Sequence, residues 1–354
     1  MRVTLKDIGR ELGMTESAVS YALAGKGSIG PETRKRIRET AARMGYVPNQ
    51  AAQEMSTGRS RCVEVVVPNV LAEYGEFCEH VFRILTEHGW LVGIHVTEFS
   101  KTRQEEATRE ILGRGAAGVL LISYSNPRDT LPRLATCGIP TIVRGRNPLA
   151  HGVSIDHLEI GRSIAHCLQA NGRRRIRIAV PHPVPFADNV VDVQQGMEEV
   201  LGSAVPIDAV GADELPEVAA RGGNRNYEYQ IRNMLSRNWI EVSRALFRKM
   251  LEDGVPDAVV CPHELCACGI LQEAQKMKIR IPEEMDIVAC QRGIYAAAAP
   301  VKLAAAFVSP ERLAVSMTNH LFELMKTGNT EHETLLPELD PGETLKCRRT
   351  AGRR

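Results

Sequence analysis

Two short helix-forming segments separated by one glycine turn open this 354-residue chain and constrain its fold more than any other feature. Thr4 can cap the first helix, whose apolar positions follow helical spacing until Gly13 ends it. Thr15 can cap the second helix, which runs to Leu23 with an inner face of small and apolar side chains. Two short helices joined by a tight glycine turn indicate a helix-turn-helix motif.

A third helix is predicted from Pro31 to Gly45, and it closes a small all-α core. Residues 1–60 hold ten Lys and Arg against six Asp and Glu, a net charge of +4, whereas the remaining residues sum to −3. A basic head on a slightly acidic body suits a module that meets phosphate. A generic helical bundle is the alternative, but the compact spacing and the basic bias favour DNA recognition.

Composition excludes several other classes of protein. No run approaches the ~18 uncharged apolar residues of a membrane span, and the charges in residues 1–7 fall where a signal peptide needs apolar side chains. We therefore expect a cytoplasmic, nucleoid-associated protein with no membrane partner. Nine scattered cysteines fit reduced, buried thiols better than a disulfide framework.

The first sixty residues resemble the headpiece of the lactose-repressor (LacI/GalR) family of bacterial transcription regulators. The resemblance lies in residues 3–8, 19–20, 28–34 and 45–49. It implies a recognition helix over residues 15–23, laid in the major groove of double-stranded DNA. The DNA-binding residues that it implies are Thr4, Thr15, Glu16, Ser17, Ser20, Tyr21, Ser28, Thr33, Asn49, Ala52, Gln53 and Met55.

The operator sequence should depend on Glu16, Ser17 and Tyr21, which occupy the positions that usually reach bases. Tyr21 stands where many relatives carry arginine, and Ala18 stands where threonine is usual. We therefore expect this chain to bind DNA in the same way as the family does, but to recognise a different base sequence.

Residues 49–57 would form the hinge helix of the family, which orders on operator DNA and wedges an apolar side chain into the minor groove. Met55 occupies that wedge position, where relatives usually place leucine. Without the resemblance, this segment is interpreted as a linker. We expect a headpiece over residues 1–47, a hinge helix and linker over 48–61, and a core over 62–354.

From Cys62 onward, short β-branched runs alternate with amphipathic segments in two βαβ series, which predicts two doubly wound α/β lobes. The resemblance implies two Rossmann-like lobes, as in periplasmic sugar-binding proteins, crossed three times by the chain and separated by a cleft. The expected division gives lobe 1 residues 62–155 and 290–322, and lobe 2 residues 156–289 and 323–354. A last crossover is expected near residues 301–309.

The cleft departs from the pattern of the family. Val193 stands where an arginine commonly grips the ligand, Arg292 stands where an aspartate accepts from hydroxyls, and His263-Glu264 replaces an Asn-Asp pair. A typical sugar is therefore not expected, and two interpretations stay open: an anionic or otherwise unusual effector, or a repressor whose cleft binds no signal. The candidate cleft residues are Tyr74, Tyr124, Arg144, Arg146, His263, Glu264 and Arg292, each of which could equally be an ordinary surface or interlobe residue.

No catalytic, metal or cofactor site is predicted. The spacing of Cys261, Cys266 and Cys268 matches no strong zinc template, and the glycines of residues 113–118 precede a strand, whereas a phosphate loop follows one. The polar stretch 211–237 is either a disordered loop or a cover for the cleft.

The sequence thus predicts a regulator rather than an enzyme: a homodimer, with a tetramer also allowed, that represses transcription at a near-palindromic operator and responds to an effector. Two headpieces are needed because one recognition helix covers only a few base pairs. A cytoplasmic small-molecule-binding protein or an enzyme is the rival hypothesis. The headpiece and the lack of a signal peptide argue against both.

Overall fold

The computed structural model describes residues 3–25, 28–47, 60–70, 72–122, 129–181, 188–203, 205–211, 215 and 239–347. Contacts divide the chain into two compact units, Met1–Arg59 and Ser60–Arg354, called the headpiece and the core. Within the described ranges, no helix combines the length and the apolar character that crossing a membrane requires.

The headpiece consists of helices α1 (Leu5–Leu12), α2 (Glu16–Leu23) and α3 (Pro31–Arg43). Gly13 ends α1 with a φ of 67°, in the left-handed region that glycine tolerates best. The buried centre of the unit is formed by Ile8, Val19, Ala22, Ile37 and Ala41. The predicted helix-turn-helix with a third closing helix is therefore confirmed.

The core alternates strands and helices, as predicted. Its first part contains β1 (Cys62–Val67), α4 (Ala72–Glu87), β2 (Leu91–Val96), α5 (Lys101–Arg114), β3 (Gly118–Leu121), α6 (Leu131–Thr136), β4 (Thr141–Arg144) and β5 (His151–Ile155). The second part contains α7 (His157–Ala170), β6 (Ile176–Val180), α8 (Asp188–Leu201), β7 (Ile207–Gly211), α9 (Trp239–Met250), β8 (Ala258–Cys261), α10 (Glu264–Lys276), β9 (Asp286–Ala289) and β10 (Ala304–Phe307). The chain ends with α11 (Pro310–Thr327), β11 (Glu333–Leu335) and β12 (Glu338–Asp340).

Two six-stranded sheets form the lobes, with strand orders β11-β5-β4-β3-β1-β2 and β12-β10-β9-β8-β6-β7. Among these described strands, all pairings are parallel except the one between β10 and β12. Strands such as β3, β8 and β10 are buried along their whole length, because helices cover both faces of a parallel sheet. The prediction of two doubly wound lobes is confirmed.

The C-terminal part of the expected lobe division is wrong. Residues 290–307 belong to the second lobe, because Ala304 and Ala305 of β10 pair with Val288 and Ala289 of β9. The first lobe instead holds α11 through its end at Thr327, and also β11, which pairs with β5. The chain crosses between the lobes after β5, after β10 and after β11, so only the last β-strand returns to the second sheet.

Candidate DNA-binding surface and core cleft

The second helix of the headpiece is fixed by its inner side. Val19 and Ala22 are fully buried and contact the core formed with Ile8, Ile37 and Ala41. Residues on the opposite side of the helix therefore have a defined direction toward solvent. Glu16, Ser17, Ser20 and Tyr21 are all exposed, and 56% of the Tyr21 surface is accessible.

Two threonines predicted to bind DNA cap helices. The Thr4 hydroxyl donates to Asp7 Oδ2 at 2.6 Å, the Asp7 amide donates to Thr4 Oγ1 at 3.3 Å, and the Thr4 amide donates to Asp7 Oδ2 at 2.9 Å. These hydrogen bonds from Thr4 lower the pKa of Asp7. Thr15 Oγ1 accepts from the Ala18 amide at 3.2 Å and so begins α2. The hydroxyls of Thr4 and Thr15 thus form hydrogen bonds within the headpiece, at the starts of α1 and α2.

Gly9 was not identified from the sequence, although it sets the angle between the first two helices. A Cβ placed on Gly9 would lie 2.6 Å from the Met14 carbonyl oxygen, which is closer than real Cβ atoms approach. The Met14 amide donates to the Gly9 carbonyl at 2.8 Å, so the turn folds directly onto α1. A small residue inside an otherwise regular helix was the available signal.

The other DNA-binding predictions divide into two groups. Ser28 and Thr33 are exposed, Thr33 in the first turn of α3. The predicted hinge positions Asn49, Ala52, Gln53 and Met55 lie outside the described residues, as does most of the stretch 211–237.

A cleft of about 450 Å³ opens in the core where β4, β5 and the start of α7 meet α8 and β11. Its polar lining residues are Arg144, Arg146, Ser154, Asp156, His157, Asn189, Asp192 and Thr334. Arg146 is exposed and donates to Thr334 Oγ1 at 3.3 Å. Both lobes contribute to this lining, so the cleft can respond to a change in their separation.

A smaller pocket of about 30 Å³ continues from this cleft past Tyr74, Arg144, His157 and Arg292. Arg144 Nη1 donates to the Tyr74 hydroxyl at 3.4 Å, which joins β4 to α4. Burial, followed by the nearby Arg144 charge, lowers the pKa of His157 to about 4. His157 is therefore neutral at pH 7. His157 is not among the predicted cleft residues, because its position at the start of a predicted helix does not indicate that Arg144 lies beside it.

Arg292 is already paired. Its Nη1 donates to Asp340 Oδ2 at 2.8 Å, its Nη2 donates to the Leu303 carbonyl at 2.8 Å, and its guanidinium carbon lies 4.7 Å from the Phe307 ring centroid. Hydrogen bonds from Lys302 and then from Arg292 lower the pKa of Asp340. The cation that stands at the position of the family's aspartate is thus bound within its own lobe.

His263 and Glu264 line neither pocket. His263 Nδ1 accepts from the Cys266 amide at 3.2 Å and so caps α10. Glu264 is buried, and its Oε2 accepts from the amides of Gly293 and Ala296 at 2.6 and 2.9 Å. The geometry assigns both residues to local structure. Tyr124 lies outside the described residues.

Val193 is buried and does not face the cleft. A Cβ on Gly161 of α7 would lie 2.1 Å from the Val193 carbonyl oxygen, and one on Gly196 would lie 2.0 Å from that of Leu158. The two glycines let α7 and α8 touch, so Val193 packs into the second lobe. Asn189 and Asp192 are the α8 residues that reach the cleft.

Four cysteines lie near the start of α10, and all are buried. Burial raises the pKa of Cys261, raises that of Cys290 to about 12 and raises that of Cys268 to about 11. The thiols of Cys261, Cys268 and Cys290 are therefore protonated at pH 7, which favours a packing role. Among the described residues, no group of three or more His, Cys, Asp or Glu side chains is arranged to hold a metal ion.

Comparison with known proteins matches both units. The family model for bacterial regulatory proteins, lacI family, matches residues 4–49, and the model for a periplasmic binding protein-like domain matches residues 165–345, about half of the chain. Catabolite control protein A of Staphylococcus epidermidis is 22% identical over 293 residues, or 81% of this chain and 82% of that protein.

Solved structures give the same fold. A LacI-family transcriptional regulator from Silicibacter pomeroyi is 22% identical with a TM-score of 0.73, and it covers 97% of this chain and 99% of its own. The lac repressor dimer bound to operator and the anti-inducer ONPF is 15% identical with a TM-score of 0.79 over the same shares. At these identities the structures establish the architecture.

Proposed function

The chain belongs to the lacI family of bacterial regulatory proteins and is a DNA-binding transcription regulator, and we propose that it represses transcription as a homodimer on a near-palindromic operator. The exposed face of α2 carries this proposal, because its polar side chains have no part in the headpiece core. A recognition helix presented this way can enter the major groove. The protein would act at the cytoplasmic nucleoid, with the segment 48–61 joining each headpiece to its core.

The homodimer is supported by apolar surface on adjacent elements of the first lobe. Phe82 on α4 is 53% exposed, and Leu91 and Ile94 on the edge strand β2 are each 44% exposed. A second copy of the chain that covers this surface would place two headpieces about a two-fold axis. That symmetry matches the two half-sites of a palindrome.

Selection of the full chain against random duplex DNA tests this function. We expect enriched sequences that contain two inverted half-sites, and an affinity for them that falls steeply as salt rises, because Lys and Arg neutralise several phosphates. Enrichment of no sequence, or of single half-sites only, would contradict the proposed dimeric operator binding.

For the cleft, we propose a small polar effector with an anionic group, read by Arg144 and Arg146. Arg146 is exposed and lines the cleft, and Arg144 lines both the cleft and the smaller pocket. Binding would shift the separation of the lobes and thereby the affinity of the protein for its operator. A cleft that binds no signal is the alternative.

A thermal-shift screen separates these two possibilities. Anions, sugars and nucleosides should all be included, because two similar structures are described as complexes with cellobiose and with D-xylulofuranose. We expect a shift with an anionic compound that Arg146→Ala abolishes and that Arg133→Ala, which changes an exposed arginine on α6, retains. No shift across the screen would favour the signal-blind repressor.

We propose no catalytic role for either unit. The similar proteins are named as control proteins, regulators or repressors. Their names support regulation as the function of the whole chain.

A further inference from the structure

We propose that Glu16 selects cytosine at one position of each operator half-site, an inference that rests on the operator binding proposed above. Glu16 is the first residue of α2, at the end that a recognition helix directs toward base edges. Its side chain is exposed, and no described residue forms a hydrogen bond or an ion pair with its carboxylate. The carboxylate is therefore available to DNA.

The chemistry of the major groove restricts what a carboxylate can contact. Ionised Glu16 only accepts hydrogen bonds. Guanine and thymine present acceptors there, while cytosine presents the N4 amino donor and adenine presents its N6 donor beside the N7 acceptor. The N7 lone pair repels a carboxylate that approaches the adenine amino group. Cytosine is thus the base that Glu16 fits best.

No cation on α2 competes with this contact. Residues 16–25 contain no Lys or Arg, so the common arginine-guanine contact cannot come from this helix. The exposed cations of the described headpiece lie on the other two helices, at Lys6, Arg10, Lys35, Arg36, Arg38 and Arg43. Cations there suit phosphates, which carry no sequence information directly. Base discrimination therefore falls largely to Glu16 and the hydroxyl-bearing residues beside it.

The same carboxylate penalises incorrect DNA. Where it meets only acceptors and phosphates, it is repelled and loses water without a compensating hydrogen bond. Glu16 also lies in the first turn of the helix, where an acid is favourable without any DNA contact. That purely structural role would alter stability and leave base preference unchanged, so the two roles can be separated.

The test is selection from random duplex DNA with the full chain and two variants. Glu16→Gln removes the charge and adds a donor, and Glu39→Gln makes the same change at an exposed position of α3. We expect cytosine at one fixed position of both half-sites for the unmodified chain and for Glu39→Gln. For Glu16→Gln we expect that preference to be lost and adenine to rise, because glutamine pairs bidentately with adenine.

Competition binding gives the size of the effect. Replacing the selected cytosine should weaken binding by the unmodified chain about tenfold and by Glu16→Gln much less. Half-sites without a fixed cytosine, or a cytosine that persists with Glu16→Gln, would overturn this inference and leave operator binding intact. No enriched sequence at all would overturn both proposals.

Discussion

Arg292 donates a hydrogen bond from Nη1 to Asp340 Oδ2 at 2.8 Å and thereby ties the loop after β9 to the edge strand β12. The two side chains are only 22% and 28% exposed, so water screens the pair less than it would a surface pair. The residue that replaces the aspartate expected from the family is therefore part of the second lobe's framework.

Replacing Arg292 should lower the free energy of unfolding of the core and have little effect on the binding of a ligand in the cleft. Arg292→Ala leaves Asp340 with Lys302 as its remaining cationic partner and removes the donor to the Leu303 carbonyl. We expect the free energy of unfolding of the core to fall by roughly 1–3 kcal/mol. Denaturant unfolding followed by the fluorescence of Trp90 and Trp239 measures it. If Arg292→Ala leaves the free energy of unfolding unchanged and abolishes the response to an effector, Arg292 is a ligand-binding residue and this prediction is wrong.

The stability of the core should depend on pH through His157. Its pKa is about 4 in the folded chain, so unfolding, which restores the ordinary value near 6.5, takes up a proton between these values. The free energy of unfolding should therefore fall as pH drops from 6.5 to 4, by up to about 3 kcal/mol. His157→Gln should remove this dependence, and His166→Gln, at an exposed position of α7, should keep it. Equal pH profiles for all three proteins would contradict the assignment.

Gly9→Ala should unfold the headpiece locally, because the added Cβ meets the Met14 carbonyl oxygen at 2.6 Å, and backbone must move to relieve the contact. Gly30→Ala is the control, since its Cβ would meet nothing within 4 Å. Amide hydrogen exchange of the headpiece should accelerate only in Gly9→Ala. Normal protection in that variant would show that the turn can open without loss of the fold.

The apolar surface on α4 and β2 gives a prediction about assembly. Phe82→Ser should shift the chain from dimer toward monomer in sedimentation velocity and weaken operator binding. Leu149→Ser removes an equally exposed apolar side chain from a loop of the first lobe and should leave the dimer intact. A dimer that tolerates Phe82→Ser would place the contact elsewhere.

Helix and strand positions could be predicted because local signals mark them. Thr4 and Thr15 cap the first two helices, and Gly13 ends α1 in a left-handed conformation. Each of these signals depends on residues within four positions in the sequence. The alternating apolar runs similarly identified both sheets. Such local signals do not show which sheet a strand joins, and this explains the wrong lobe division. The sequence of Ala304–Phe307 is that of a buried strand and would fit either sheet, and its pairing with β9 assigns it to the second lobe.

The cleft was less predictable because its chemistry depends on distant partners. Arg292 lies 48 positions from Asp340 in the chain, so its neutralisation is not visible in the local motif. The sequence pattern places Val193 at a ligand-binding position of the family, yet the glycine contacts between α7 and α8 bury it. The pKa of His157 is lowered first by burial and then by Arg144, which β4 places beside it, and neither is visible in the sequence around His157.

The central claim, that the exposed face of α2 reads an operator, is tested most directly by titrating a selected operator and a scrambled duplex with matched variants. Ser20→Glu adds an acid to that face, and Ala42→Glu adds one to an exposed position of α3. We predict that the unmodified chain and Ala42→Glu prefer the operator by at least about 10³-fold, and that Ser20→Glu loses this preference with its folding intact. Retained preference in Ser20→Glu would contradict the claim.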